Sequence, residues 1–136
     1  MIHLTTGQLA KQAGVNLQTV HYYERRGLLP EPPRRDSGYR QYGKADVTRM
    51  EFIKRAQEVG FTLNEILELL NLRVDPYTPC ALVKRRADLK IIDIEERLRS
   101  LKRIKKALNK MAASCSGQGP VGDCPILEAL GSDGAW

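Results

Sequence analysis

The chain has few of the features that mark the commoner classes of protein. No apolar run approaches the ~18 residues of a membrane span, and the N-terminus "MIHLTTGQLAKQ" lacks the charged-then-apolar layout of a secretory leader. Both absences point to a cytoplasmic protein with no membrane partner. Cysteine is scarce: there are 3, an odd number, which does not suit a disulfide framework in a reducing compartment. Histidine is scarcer still, with His3 and His21 the only 2. No nucleophile–base pair or carboxylate pair stands out, so the sequence does not read as an enzyme.

What is present is basic charge and helical patterning. The 136 residues are 42% hydrophobic, enough for one domain or a small domain with an extension. Lys+Arg 22 against Asp+Glu 16 leave +6, with a sequence pI near 9.4. That balance permits nucleic-acid binding without requiring it.

The first stretch, "TTGQLAKQAG", sets Gln8 three residues after Thr5, the spacing of a capping box. Leu9, Ala10 and Ala13 then share a helical face, and Gly14 can end the helix. In "VNLQTVHYYERRG", Asn16 is a good N-cap, Val20 faces inward and Gly27 is a stop. Two short helices across a short turn outline a helix-turn-helix. Next comes "LLPEPPRRDSGYRQYG", whose prolines forbid helix and whose Asp36-Ser37-Gly38 predicts a turn between short extended arms. This hairpin carries Arg34, Arg35, Tyr39, Arg40 and Tyr42, groups suited to phosphate contact and groove insertion. A helix pair followed by a basic hairpin describes a winged helix-turn-helix.

"ADVTRMEFIKRAQEVG" predicts a third helix with Val47, Met50, Ile53, Lys54 and Ala56 on its inner side. "TLNEILELLNL" starts with a second capping box, Thr62 to Glu65, and carries the stripe Leu63, Ile66, Leu67 and Leu70. "RVDPYTP" interrupts the chain at two prolines. From Cys80 to Ala113 there is neither Pro nor Gly, and Ala87, Ile91, Ile94, Leu98, Leu101, Lys105, Leu108 and Ala112 recur at steps of four and three. Such a heptad seam on one long helix needs a partner, and a homodimeric coiled coil supplies it. The expected organisation is therefore mainly α: a winged helix-turn-helix domain over 1–72, a linker over 73–79, a dimerisation helix over 80–113, a metal-binding loop and short helix over 114–130, and a disordered tail over 131–136 ending in Trp136.

The loop "SCSGQGPVGDCPI" holds Cys115 and Cys124, while Cys80 lies 35 positions before Cys115. At a 1.5 Å rise per residue, a helix between them separates Cys80 from Cys115 by ~50 Å. One chain cannot bring all three thiols to one ligand. In an antiparallel dimer the start of one helix meets the end of the other, so Cys80 of one subunit lies beside Cys115 and Cys124 of its partner, twice by symmetry. Three soft thiolates without imidazole select soft cations. Hg(II) and Pb(II) tolerate three-coordinate sulfur, whereas Zn(II) or Cd(II) needs a fourth donor such as Asp123 or water. Coordination chemistry alone leaves Hg(II) and Pb(II) open.

Residues 5–70, with their helix-turn-helix, arginine-tyrosine hairpin and "TLNEILELL" helix, resemble the N-terminal domain of the MerR transcription regulators, and the resemblance runs to about Leu130. It implies a winged helix-turn-helix and an antiparallel dimer. Cys80, Cys115 and Cys124 with the ending "CPIL" resemble the mercury-responsive branch of the family. That branch holds one Hg(II) through three thiolates from both subunits, with Pb(II) the alternative effector. The resemblance further implies a dimer bound to promoter DNA that represses without metal and activates RNA polymerase with it, by distorting the promoter. Gln18, Thr19, His21 and Tyr22 are the candidate groove-facing residues. Tyr23, Arg25, Tyr39, Arg40 and Tyr42 are candidates for phosphate or wing contacts, with Lys11 and Arg49 as possible additions. Adjacent helical residues cannot both face the groove, which leaves Tyr22 or Tyr23 for the core. A thiol-based sequestering protein would need the cysteines but not the winged domain. A drug-responsive regulator would need more than the roughly twenty residues after Ala113.

Overall fold

The computed structural model describes residues 3–33, 38 and 40–131. Arg34, Arg35, Tyr39, the Asp36-Ser37 part of the expected turn and the tail with Trp136 lie outside them. The architecture is mostly helical: α1 Thr6–Ala13, α2 Leu17–Arg25, α3 Lys44–Glu58, α4 Leu63–Arg73, α5 Cys80–Ala113 and α6 Pro125–Leu130, with a 3-10 turn at Val121–Asp123. Among the described residues no helix is long and apolar enough to cross a membrane.

Local side-chain chemistry sets the helix starts. Thr5 Oγ1 accepts from the Gln8 N–H (3.2 Å) while Gln8 Oε1 accepts from the Thr5 N–H (2.9 Å). Thr62 and Glu65 repeat the arrangement at 3.2 and 2.8 Å. Asn16 Oδ1 accepts from the Thr19 N–H at 2.8 Å and so opens α2. Each exchange satisfies amides that a helix N-terminus otherwise leaves without partners. Residues 14–16 join α1 to α2, α1 packs on α2 and α3, and α3 packs on α4. Leu9, Val20, Leu28, Leu29, Tyr42, Met50, Ile53 and Ile66 fill the core between them. Lys54, expected on the inner side of α3, is exposed. Its ammonium lies over the end of α1, 3.3 Å from where a Cβ on Gly14 would stand, because a lone cation is too costly to bury.

Much of the hairpin expected around residues 30–42 lies outside the described residues; among those described, Leu4 and Tyr42 form an antiparallel bridge whose N–H···O contacts are 2.7 and 2.8 Å. A further bond from the Gln41 N–H to the Pro33 carbonyl (3.0 Å) closes the segment.

The chain divides into two compact units, Met1–Ala87 and Asp88–Trp136. The first two turns of α5 thus group with the N-terminal unit. There Cys80, Val83 and Ala87 help line an apolar cleft of about 680 Å³ with Phe52, Phe61 and Leu72 of α3, α4 and their connection. Arg86 Nη1 also pairs with Glu68 of α4 at 2.6 Å. In the C-terminal unit the apolar row of α5 is open in the single chain, from 40% exposed at Ile94 to 61% at Leu101. The Ser114 hydroxyl donates to the Met111 carbonyl (2.6 Å) where α5 ends. Pro125 then occupies the first turn of α6, where its missing N–H costs nothing.

Candidate nucleic-acid interface and thiol site

Helix α2 shows a mixed face to solvent. Gln18 and Arg25 are exposed, and the His21 side chain is 31% exposed. The Thr19 hydroxyl is engaged locally, donating to Asn16 Oδ1 at 2.8 Å. Tyr22, 39% exposed, is held by two arginines. The guanidinium carbons of Arg25 and Arg26 sit 5.8 and 5.6 Å from its ring centre, and Arg26 Nη1 donates to its hydroxyl at 2.7 Å. Arg26 Nη2 also donates to Asn64 Oδ1 of α4 at 2.5 Å, tying the two helices together.

Two of the expected contact residues are core instead. Tyr23 is buried, and its hydroxyl donates to Gln57 Oε1 of α3 at 3.0 Å. Burial, chiefly, raises its phenol pKa. Tyr42 is wholly buried and its hydroxyl donates to Glu24. Burial first, and then that bond to a carboxylate, push its pKa up to about 12. An aromatic ring on a short bridge contributes more by filling the core than by facing a phosphate. Of the adjacent pair, Tyr23 therefore takes the core and Tyr22 the surface. Arg49 is also committed, its Nε donating to the Leu28 carbonyl at 2.5 Å, while Lys11 is exposed.

Glu24 was not legible as a site residue. It accepts from the Tyr42 hydroxyl, its Oε2 lies 3.3 Å from Arg40 Nε, and His21 Nδ1 lies 4.0 Å away. In the string "YYERR" it reads as a solvated helix charge; the one available signal is its three-residue spacing from His21.

The cysteines fall into two places. Cys80 is the first residue of α5, exposed and on the wall of the apolar cleft. Cys115 and Cys124 belong to the C-terminal unit, both half-buried and both free thiols. Cys115 Sγ accepts from the Gly117 N–H at 3.4 Å. Gly117 and Gly119 have φ of +80° and +90°, a backbone that side chains other than hydrogen disfavour, and so permit the chain to curl. Cys124 caps α6. The backbone N–H groups of Leu127 and Ile126, and then the Cys115 thiol, lower its pKa, although its side chain makes no capping hydrogen bond of good geometry. Amides at a helix start favour a thiolate. The loop thus presents two neighbouring sulfurs, one inclined to ionise, a donor set that suits a soft cation. Among the described residues, no three Cys, His, Asp or Glu side chains converge within the single chain.

Fold and site define a helix-turn-helix regulatory protein that carries a dithiol loop. A family model described as "MerR HTH family regulatory protein" matches residues 4–72, and one described as "MerR, DNA binding" matches residues 47–111. The chain belongs to the MerR family, whose members are DNA-binding transcription regulators rather than enzymes. It is similar to the mercuric resistance operon regulatory protein of Bacillus cereus, 44% identical over 124 residues, covering 91% of this chain and 94% of that one. Two solved structures are also similar. The regulator PbrR691 from Ralstonia metallidurans CH34 in complex with lead(II) is 35% identical with a TM-score of 0.84, covering 93% of this chain and 98% of that one. MerR from Bacillus megaterium MB1 in complex with mercury(II) is 40% identical with a TM-score of 0.70 and the same coverage.

Proposed function

We propose that this protein is a cytoplasmic, homodimeric transcription regulator that responds to Hg(II). On this reading residues 1–72 bind promoter DNA, 73–79 link, 80–113 pair with a second copy, and 114–130 hold the effector with Cys80 of the partner. The observation that carries it is the dithiol loop: Cys115 and Cys124, both free and half-buried, stand at the two ends of one glycine-rich turn, the latter favoured as thiolate by the start of α6. The exposed apolar row of α5 supports a coiled coil with a second chain. A 34-residue helix is ~50 Å long, which supports drawing Cys80 from the other subunit. The mercury-bound relative at 40% identity favours Hg(II). The fold likeness of 0.84 to the lead-bound regulator favours Pb(II) as the second reading. Sequestration by the thiols alone leaves the helix-turn-helix without a role.

The residues divide the work. Gln18, His21 and Tyr22 address the groove, and Arg25 and Arg40 address phosphates. Two DNA-binding units joined through paired helices fix the distance between half-sites. A small rotation of those helices then becomes twist in the promoter, repressive in one arrangement and productive for RNA polymerase in the other. An effector acts only through its differential affinity for those two arrangements.

A heterodimer of Cys80→Ala and Cys115→Ala subunits tests the shared site. One of its two sites combines an intact Cys80 with an intact Cys115 and Cys124, so one tight Hg(II) equivalent is expected where each homodimer has none. Absence of that equivalent rejects the shared site. Competition among Hg(II), Pb(II), Cd(II) and Zn(II) under excess small thiol identifies the effector, and retention of Pb(II) over Hg(II) rejects the mercury assignment.

A further inference from the structure

The proposed phosphate contact, Arg40, lies two residues before the Leu4–Tyr42 bridge. A long cationic side chain there loses rotamer freedom when it is ordered on DNA. Something must limit that cost, and the structure offers one group. Glu24, on α2, has a side chain only 9% exposed. One of its oxygens accepts the Tyr42 hydroxyl and the other faces Arg40 Nε at 3.3 Å. Arg40 Nε is itself buried and has no hydrogen-bond partner of good geometry, so charge attraction to Glu24 holds it. The side chain as a whole is 27% exposed.

We infer that Glu24 is a positioning residue for DNA binding: it fixes the Nε edge of Arg40 and so presents the guanidinium's other edge to a phosphate. A guanidinium is planar and has two donor edges. With one turned to a carboxylate, the pair of terminal nitrogens is the edge left for bidentate contact with phosphate oxygens. Tyr42 completes the arrangement by orienting Glu24 from the core. Arg40 in the hairpin segment is thereby registered against α2, which carries Gln18 and His21. His21 Nδ1, 4.0 Å from the same carboxylate, shares this neighbourhood. The inference rests on the reading of Arg40 as a phosphate contact.

The sign of one substitution separates positioning from simple charge. Glu24→Gln deletes a negative charge near the DNA face, and electrostatics alone makes binding to any duplex tighter. Positioning makes it weaker. With the full-length protein and a mixed-sequence DNA duplex, Glu24→Gln is expected to weaken binding about tenfold. It should also lower the salt slope by about one unit, as Arg40→Ala does. The double variant should bind no worse than Arg40→Ala alone. Arg40→Lys, which keeps the charge and loses the second edge, should resemble Glu24→Gln. Circular dichroism and urea midpoints identify any variant that fails to fold, and Arg40→Lys, at a partly exposed position, then decides. Tighter or unchanged binding by Glu24→Gln, with Arg40→Ala weakened, overturns the inference and leaves the Arg40 contact standing. Unchanged binding and salt slope in Arg40→Ala overturn both. Wild-type binding by Arg40→Lys overturns the two-edged geometry.

Discussion

The two compact units solve the problem of apolar surface in opposite ways. In the N-terminal unit four short helices, none longer than 15 residues, bury a shared core and carry side-chain caps or polar struts at their ends. In the C-terminal unit the rest of the 34-residue α5 shows its apolar row to solvent, and of α5 only Lys90 and Met111 are buried. Short amphipathic helices gain stability by packing on one another; a single long one gains it only from something outside itself. The first unit is complete as one chain. The second has the surface of half an interface, which is the physical basis for the proposed dimer.

Core truncation in the N-terminal unit should give the largest effect on stability. Ile53 is wholly buried, so Ile53→Ala should cost about 2–5 kcal/mol. Urea denaturation should show that loss at any protein concentration. On α5 the corresponding change is Leu98→Glu at a 51% exposed position. It should leave the N-terminal unit folded and weaken the proposed dimer about 100-fold, since a carboxylate cannot be buried in an apolar seam without large cost. Sedimentation equilibrium reads it directly. A Leu98→Glu protein that assembles as the wild type does would remove the contrast between the units.

The same contrast explains what could be read from residues alone. The starts of α1, α2 and α4 were legible because Thr5, Asn16 and Thr62 act within three residues of themselves. The long helix was legible because a heptad row without Pro or Gly has few other outcomes. Contacts between distant residues were not. Nothing local to Tyr42 says that its ring is core and its hydroxyl meets Glu24, and nothing local to Tyr23 says that it reaches Gln57. The turn from Cys115 to Cys124 was readable from the three glycines between them, two of which take positive φ. The thiolate preference of Cys124 was not, since it depends on amides of a short helix that follows it.

Alkaline pH should sharpen the comparison by acting on the N-terminal unit. Burial and the Glu24 bond raise the Tyr42 pKa from 10.0 to about 12, and burial raises that of Tyr23. The unfolded chain therefore loses these protons first. Their stabilising contribution is complete below pH 10 and is lost as pH rises toward 12. Urea midpoints should fall over that window, and Tyr42→Phe should flatten the fall. A midpoint independent of pH there, with wild-type Tyr42, contradicts the burial of its phenol.

The smallest effect belongs to the C-terminal unit and concerns Cys124. Its thiol is held below the ordinary value of 9.0, first by the Leu127 and Ile126 amides and last by Cys115. A depressed folded-state pKa favours the folded loop above the unfolded pKa, and that preference disappears as pH falls through the folded value. The thiol is only half-buried, so the consequence lies in reactivity rather than in stability. Iodoacetamide labelling of the reduced, metal-free protein, followed peptide by peptide, should give Cys124 a midpoint below that of the same cysteine in urea. Cys115→Ala should move the midpoint upward by less than loss of the α6 turn does, because the amides contribute more. Equal midpoints in the folded and unfolded chain would show that the start of α6 does not prepare Cys124 as a thiolate. The loop would then offer two ordinary thiols, and cation capture near neutral pH would have to displace both protons unaided.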